Sequence, residues 1–354
     1  GFGLIMHIQA RRIIRLSATV ALALAAAYAL KLPLPFIAPL FALMLTAPPK
    51  PPAGLKGLFV LVIVVVLSLG VGLLLIPLLL KYSFVALLVV TLGLYLSFYL
   101  TVHKGKALLG TFLTMGFTLI SAAGTVDFAL ATTLIQSLVV GITIAVVCQW
   151  LVYPWFPEDP AQGQQAPAKK PSVENSNWIA LRATLIVLPA YLLALTNPLS
   201  YLAIIMKSVS LGQQSSVVDA RSAGKELLGS TFLGGFFAIL FWVLLGILTN
   251  LWMFFLLMLL FGLYFASKIY GLIRTRYPAS FWLNVGMTML ILLGPAVEDS
   301  DSGKDVYTAF LVRMGLFVAV TLYAWLAIYV LEYLRERRVH RATGASVKME
   351  SPAC

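Results

Sequence analysis

Charge is what this sequence has least of: Asp, Glu, Lys and Arg together make up 11% of its 354 residues, against about 25% in ordinary globular chains. Acids are the scarcer sign, 13 against 25 Lys and Arg, which leaves a formal charge of +12. Cysteine is nearly absent: Cys148 falls in an apolar run and Cys354 closes the chain, so no disulfide framework is available. Three histidines, His7, His103 and His340, lie too far apart for metal-ligand spacing, so neither a metal nor another cofactor is expected. The sequence holds no Walker A loop, no HExxH, and no Ser-Lys or Asp-Asp constellation at membrane depth, so it offers neither ATP hydrolysis of its own nor an intramembrane enzyme. No Asp or Glu falls near the middle of any apolar run, which removes the usual carrier of a carboxylate proton relay.

What is abundant is apolar surface, 61% of residues at a mean hydropathy of +0.97. At about 20 apolar residues per span this suffices for about ten to twelve helices, with almost nothing left for a water-soluble domain. A basic excess in such a chain reads first as cytoplasmic-loop charge and only second as a binding patch, which decides against nucleic acid. The N-terminal run Arg11-Arg12-Ile13-Ile14-Arg15 before Leu16 to Leu30 looks superficially like a signal peptide. With many further spans behind it, it reads as a first helix that stays in place.

Apolar runs bounded by charge, Pro, Gly or polar clusters predict spans over about 12–30, 34–47, 56–80, 82–102, 107–124 and 127–153. A second set covers about 178–195, 199–211, 226–248, 250–272, 279–296 and 305–332. The expected fold is therefore an all-α polytopic membrane protein of about 12 transmembrane helices in two parallel six-helix repeats. Its parts are a first repeat over 1–153, a Pro- and Gln-rich cytoplasmic linker over 154–177, a second repeat over 178–332 and a basic tail over 333–354.

Orientation follows from the basic residues: only Lys31, Lys81, Lys304 and Arg313 fall on the far side of the membrane, and the remaining Lys and Arg fall with the N-terminus. By the positive-inside rule both termini are cytoplasmic. Four of the outer acids form one cluster, Glu298, Asp299, Asp301 and Asp305. An offset of 170 residues brings Arg12 onto Arg182, Lys104 onto Arg274, Lys106 onto Arg276, Gly116 onto Gly286, Thr118 onto Thr288 and Gly124 onto Gly294. Even spans per half with this register predict parallel repeats about an axis along the membrane normal.

The second span of each half is short and framed by helix breakers: Pro33, Pro35 and Pro39 with Pro48-Pro49-Lys50-Pro51-Pro52 in the first, Asn197-Pro198 in the second. Interrupted spans at matching places in two repeats mark a transporter's binding region, because half-helix ends present unpaired backbone near the midplane. The alternative is a re-entrant or tilted helix with a kink and no further role. Thr111, Thr114, Thr118 and Ser121 share one face of the fifth span, and Ser280, Asn284 and Thr288 recur in the eleventh. Singly, each reads as packing between membrane helices, as does Gln136; together the two stripes point to a common pathway. Asp127 reads as an interfacial cap. Arg313 is a candidate anion contact, or an ion pair with Asp127 or Asp305.

Three stretches, APLFALMLTAPPKPPAGLKG (38–57), SLGQQSSVVDARSAGKELLGSTFLGG (210–235) and DSGKDVYTAFLVRMG (301–315), resemble the fusaric acid resistance and aromatic acid exporter superfamily, in its compact bacterial inner-membrane branch. The likeness spans nearly the whole chain and is carried by diffuse Gly, Pro and Arg patterns. It implies an efflux permease for aromatic carboxylates or similar amphipathic toxic compounds, working with a periplasmic membrane-fusion (HlyD-like) adaptor. It matches Pro39, Pro48, Gln213, Gly224, Gly229 and Arg313 to motif positions. Many such relatives carry a sizeable cytoplasmic domain after each six-helix unit; here a short linker stands in its place. Partners are then a small organic anion, the bilayer and the adaptor, with a homo-oligomer left open. The rival readings are a major-facilitator carrier, an organic-anion channel and a scaffold subunit without transport of its own. For a monovalent anion leaving a negative interior the membrane potential contributes about 2.3 kcal/mol per 100 mV, so proton coupling is not required.

Overall fold

The computed structural model describes residues 7–160 and 170–349; the middle of the expected linker and the last residues of the tail, with Cys354, lie outside them. The described regular elements are all helices. In chain order they are α1 (Ile8–Ala29), α2 (Ile37–Thr46), α3 (Leu55–Lys81), α4 (Ser83–His103), α5 (Ala107–Val126) and α6 (Phe128–Val152). The second half comprises α7 (Val173–Thr196), α8 (Pro198–Ser215), α9 (Ala223–Leu245), α10 (Leu251–Ile269), α11 (Ala279–Asp301) and α12 (Val306–Met349). Ten of these are long and apolar enough to cross a bilayer. The two that fall short of the expected twelve are the second of each half: α2 has only 10 residues, and α8 carries Lys207 and a polar end at Gln213-Gln214-Ser215.

Local chemistry sets these bounds. After α1 the chain turns through Lys31, a non-glycine at φ 52°, and Pro33 and Pro35 hold it out of helix until Ile37. Pro198 opens α8 at its first turn, and Tyr201 (φ −113°, ψ 15°) breaks the helix there, so its regular part begins only after that kink. Ser172 caps α7 by accepting from the Asn175 amide at 3.2 Å, so the last residues of the expected linker belong to that helix. α11 runs on to Asp301 and stops where Gly303 (φ 75°) lets the Lys304 amide reach back to the Asp299 carbonyl at 2.9 Å. The tail continues α12 as helix.

Packing between the halves is reciprocal. α1 lies along α10, and α7 lies along α4; α2 packs on α6 and touches α11, while α8 packs on α12 and touches α5. Close crossings are bought by glycine: a Cβ on Gly72 of α3 would meet the Gly116 carbonyl of α5 at 2.1 Å, and one on Gly234 of α9 would meet Thr288 of α11 at 2.6 Å. α5 passes through a π-helical turn at Gly116–Ile120 beside the first of these crossings. The outer faces of α3, α4, α9 and α12 expose Leu67, Leu74, Phe84, Leu92, Phe236 and Leu326. Apolar surface on that scale is what a hydrocarbon environment covers.

Candidate functional site

Where α2, α5, α8 and α11 converge, two cavities approach each other from opposite ends. The first, about 300 Å³, is lined by Phe41 and Met44 of α2, Thr111 and Met115 of α5, Met206, Ser210, Gln213 and Gln214 of α8, and Ser280, Asn284 and Met287 of α11. It lies toward the end of the molecule where α5 and α11 begin. The second, about 560 Å³, lies toward the opposite end and is lined by Phe36, Ile37, Ser200, Tyr201, Glu298, Asp299, Lys304 and Arg313. Met206 lines both. Both volumes fall in the range of small-molecule sites, and the first has the apolar walls and sparse polar groups typical of them.

The two broken helices supply this arrangement. The starts of α2 and of the regular part of α8 lie at the second cavity. Their far ends are tied down: the Tyr270 hydroxyl donates to the Thr46 and Ala47 carbonyls at 3.3 and 2.8 Å, and the Arg182 guanidinium donates to the Ser215 carbonyl at 2.6 Å. A cation at a helix C-terminus also meets the negative end of its dipole.

A polar ladder runs along α8 from the first cavity inward. Gln214 Nε2 lies 3.4 Å from Ser230 Oγ, Ser210 donates to Asn284 Oδ1 at 3.1 Å, and Lys207 Nζ donates to Thr288 Oγ1 at 2.9 Å. Lys207, Ser210 and Gln214 stand three and four residues apart, on one helical face. Lys207 is completely buried, at 0% exposure, and among the described residues no carboxylate pairs with it. The acids of α11 begin again at Glu298 and Asp299, the latter about 16 Å beyond Thr288 at 1.5 Å per residue. At that separation an effective dielectric of about 20 leaves only about 1 kcal/mol of attraction. Sorting charges by sequence position counts Lys207 with the cytoplasmic loops; the structure places it inside the bundle instead. The signal was Lys207 between Ile204-Ile205-Met206 and Val209, an interruption of an apolar run and not its edge.

Thr288, Asn284 and Gln213 belong to the ladder and the first cavity, and Gln213 Nε2 is buried without a partner. Thr114 and Thr118 are buried but spend their hydroxyls on the carbonyls of Gly110 and Thr114 at 2.7 Å each, and line neither cavity. Pro39 is buried inside α2 beside the first cavity's Leu40 and Phe41. Gln136 is exposed on the surface of α6, away from both. Arg313 lines the second cavity, and its partner is Asp299, not Asp127 or Asp305. Asp127 caps α6 through the Ala129 amide at 3.0 Å. Asp305 accepts from the Tyr307 amide at 3.2 Å and from the Thr308 hydroxyl, which hold its carboxyl below the ordinary aspartate value.

A matched pair of arginine clamps ties the start of each half to that half's last helix. Arg12 and Arg15 of α1 both hold Glu158, just past α6, with Arg15 at 2.7 Å and Arg12 Nε at 2.9 Å. Arg11 adds Asp159 at 2.7 Å. In the second half Arg182 of α7 holds Glu332 of α12 at 2.9 Å, beside the Trp178 indole at 2.8 Å. Burial pushes the Glu158 carboxyl up, and the hydrogen bonds and charges of Arg12 and Arg15 outweigh it, leaving the group below its ordinary value.

These features define a multi-span helical membrane protein with paired cavities around a buried amine. Residues 12–152 are similar to a family described as a protein of unknown function (DUF2955). No curated protein and no solved structure matches the chain.

Proposed function

We propose that the chain is an inner-membrane efflux permease for aromatic carboxylates or similarly small amphipathic anions. The observation that carries this reading is the pair of cavities toward opposite ends of the bundle that share Met206 as a lining residue. Two such cavities on either side of one residue suit a carrier that opens to one side at a time. Methionine and phenylalanine walls suit an apolar ring, and the ladder from Gln214 to Lys207 suits its charged end.

The finer architecture belongs to the same proposal. All twelve helical segments cross, with the non-helical stretch 31–36 completing the passage that α2 makes only in part, and the halves are parallel repeats. The reciprocal packing of α1 on α10 and α7 on α4, together with the matched arginine clamps, supports this. Both termini are then cytoplasmic and the first cavity faces the cytoplasm. The second cavity, with the outer acidic cluster at its rim, faces the periplasm and a membrane-fusion adaptor.

Reconstituted protein is expected to exchange external labelled 4-hydroxybenzoate for unlabelled 4-hydroxybenzoate trapped inside liposomes. Absence of exchange, with and without an adaptor, would favour the scaffold reading. Single-channel currents carried by the anion would favour a channel.

A further inference from the structure

We infer that Lys207, with Thr288 beside it, is the carboxylate anchor one helical turn beyond Ser210 of the first cavity, the point where cargo is held as the pathway changes sides. The inference rests on the permease reading for its cargo, but its geometry stands independently. A completely buried lysine amine with one hydroxyl partner at 2.9 Å leaves hydrogen-bonding capacity unused. Burial of a cation without a counter-charge is costly, and an apolar residue of similar length in its place removes that cost. A lysine at this depth therefore points to a charge that arrives from outside the chain.

The surroundings say which kind. Among the described residues, the acids on the helices packed against α8 are Glu174 on α7, Glu226 on α9, Glu298, Asp299 and Asp301 at the close of α11, and Glu332 and Glu336 on α12; none pairs with Lys207, and Glu332 is taken by Arg182 at 2.9 Å. A monovalent anion at Lys207 thus meets no competing carboxylate. The approach runs from the first cavity past Gln214, whose Oε1 is buried and unpartnered, to the Ser210 and Asn284 pair one turn from Lys207. Met206, Met115 and Met287 flank that route, polarizable walls that adapt to a flat ring. At the 170-residue offset Lys207 corresponds to Ile37 and Thr288 to Thr118, and Thr118 has no partner beyond its own helix. The anchor therefore exists once, in the second half, and the stoichiometry is one carboxylate per chain.

The test is equilibrium binding of benzoate to detergent-purified protein, with benzamide as the uncharged probe of the same shape. Benzoate is expected to bind and benzamide to bind far more weakly. Lys207→Met is expected to weaken benzoate by about 30-fold or more, the range for removing one partner of a buried charge pair, while raising or preserving thermal stability. Lys207→Arg should keep part of the affinity. Equal binding of benzamide and benzoate to the wild type, a measurement that needs no variant to fold, overturns the anchor. So does a Lys207→Met protein that binds benzoate as the wild type does. Benzoate binding through Lys207 without flux in liposomes overturns the permease and leaves the anchor. Flux with benzoate affinity unchanged in Lys207→Met overturns the anchor and leaves the permease.

Discussion

Glu158 answers two arginines at once, and its side chain is 3% exposed. Removing its charge strands Arg15, itself 3% exposed, so Glu158→Gln is expected to cost about 3 kcal/mol of stability, the low end for breaking a buried pair. The sign of the pH dependence follows from the lowered carboxyl. Its contribution is fully present above the ordinary glutamate value, about 4.3, and is lost as pH falls through the lower folded value. Thermal midpoints of wild type and Glu158→Gln should therefore converge in acid; a gap that stays constant down to that range would count against the clamp. Arg313 follows the same logic at the other end of the molecule. Asp299 is 8% exposed and has Arg313 as its ion-pair partner, so Arg313→Ala should lower stability as well as export. Arg313→Gln with Asp299→Asn, which removes both charges, should restore the thermal midpoint; export that stays lost in the pair then assigns Arg313 a part in moving the anion.

Helix crossings depend on backbone approach as much as on side chains. Gly72→Ala places a methyl 2.1 Å from the Gly116 carbonyl of α5, whereas Gly70→Ala meets nothing within 4 Å. Overpacking of this kind costs about 1–3 kcal/mol or more, so Gly72→Ala should reduce the yield of folded protein and Gly70→Ala should not. Equal yields would mean that α3 and α5 cross less tightly. The helices themselves were legible in the sequence, because proline, charge and polar clusters interrupt each apolar run at its ends. The broken second segments were legible from their prolines. What stayed hidden was the end of α8: the span expected over about 199–211 stops short, and the helix continues to Ser215 with Arg182 satisfying its last carbonyl. That extension moves Lys207 from a helix edge to its interior, and the capping residue lies 33 positions away in sequence. Likewise Thr114 and Thr118 were legible as one face, yet only tertiary packing determines that they turn to their own backbone while Asn284 and Thr288 meet α8.

At the scale of the whole molecule the question is parity. If α2 and α8 each complete a crossing, every half has six passages and the halves are parallel; if neither does, every half has five and the halves are inverted. Basic residues favour the first arrangement, because it leaves only Lys31, Lys81, Lys304 and Arg313 on the outer side. Contacts at the molecule's ends agree with it. Thr46, at the close of α2, receives a hydrogen bond from Gln149 at 3.0 Å, near the close of α6, while the start of α1 is held by residues 156–159 just beyond the same helix. The end of α2 and the start of α1 thus share one face, as a crossing requires. Lys31 and Lys81 separate the cases. With twelve passages both lie outside; with ten, Lys31 lies outside and Lys81 inside. In a protein with Cys148 and Cys354 replaced by Ala, single Lys31→Cys and Lys81→Cys variants in intact cells should both react with a membrane-impermeant maleimide, and Lys104→Cys should react only after permeabilisation. Protection of Lys81→Cys alongside labelling of Lys31→Cys and Lys104→Cys would establish ten passages, and with them inverted halves in which the two broken helices dip into the membrane and return.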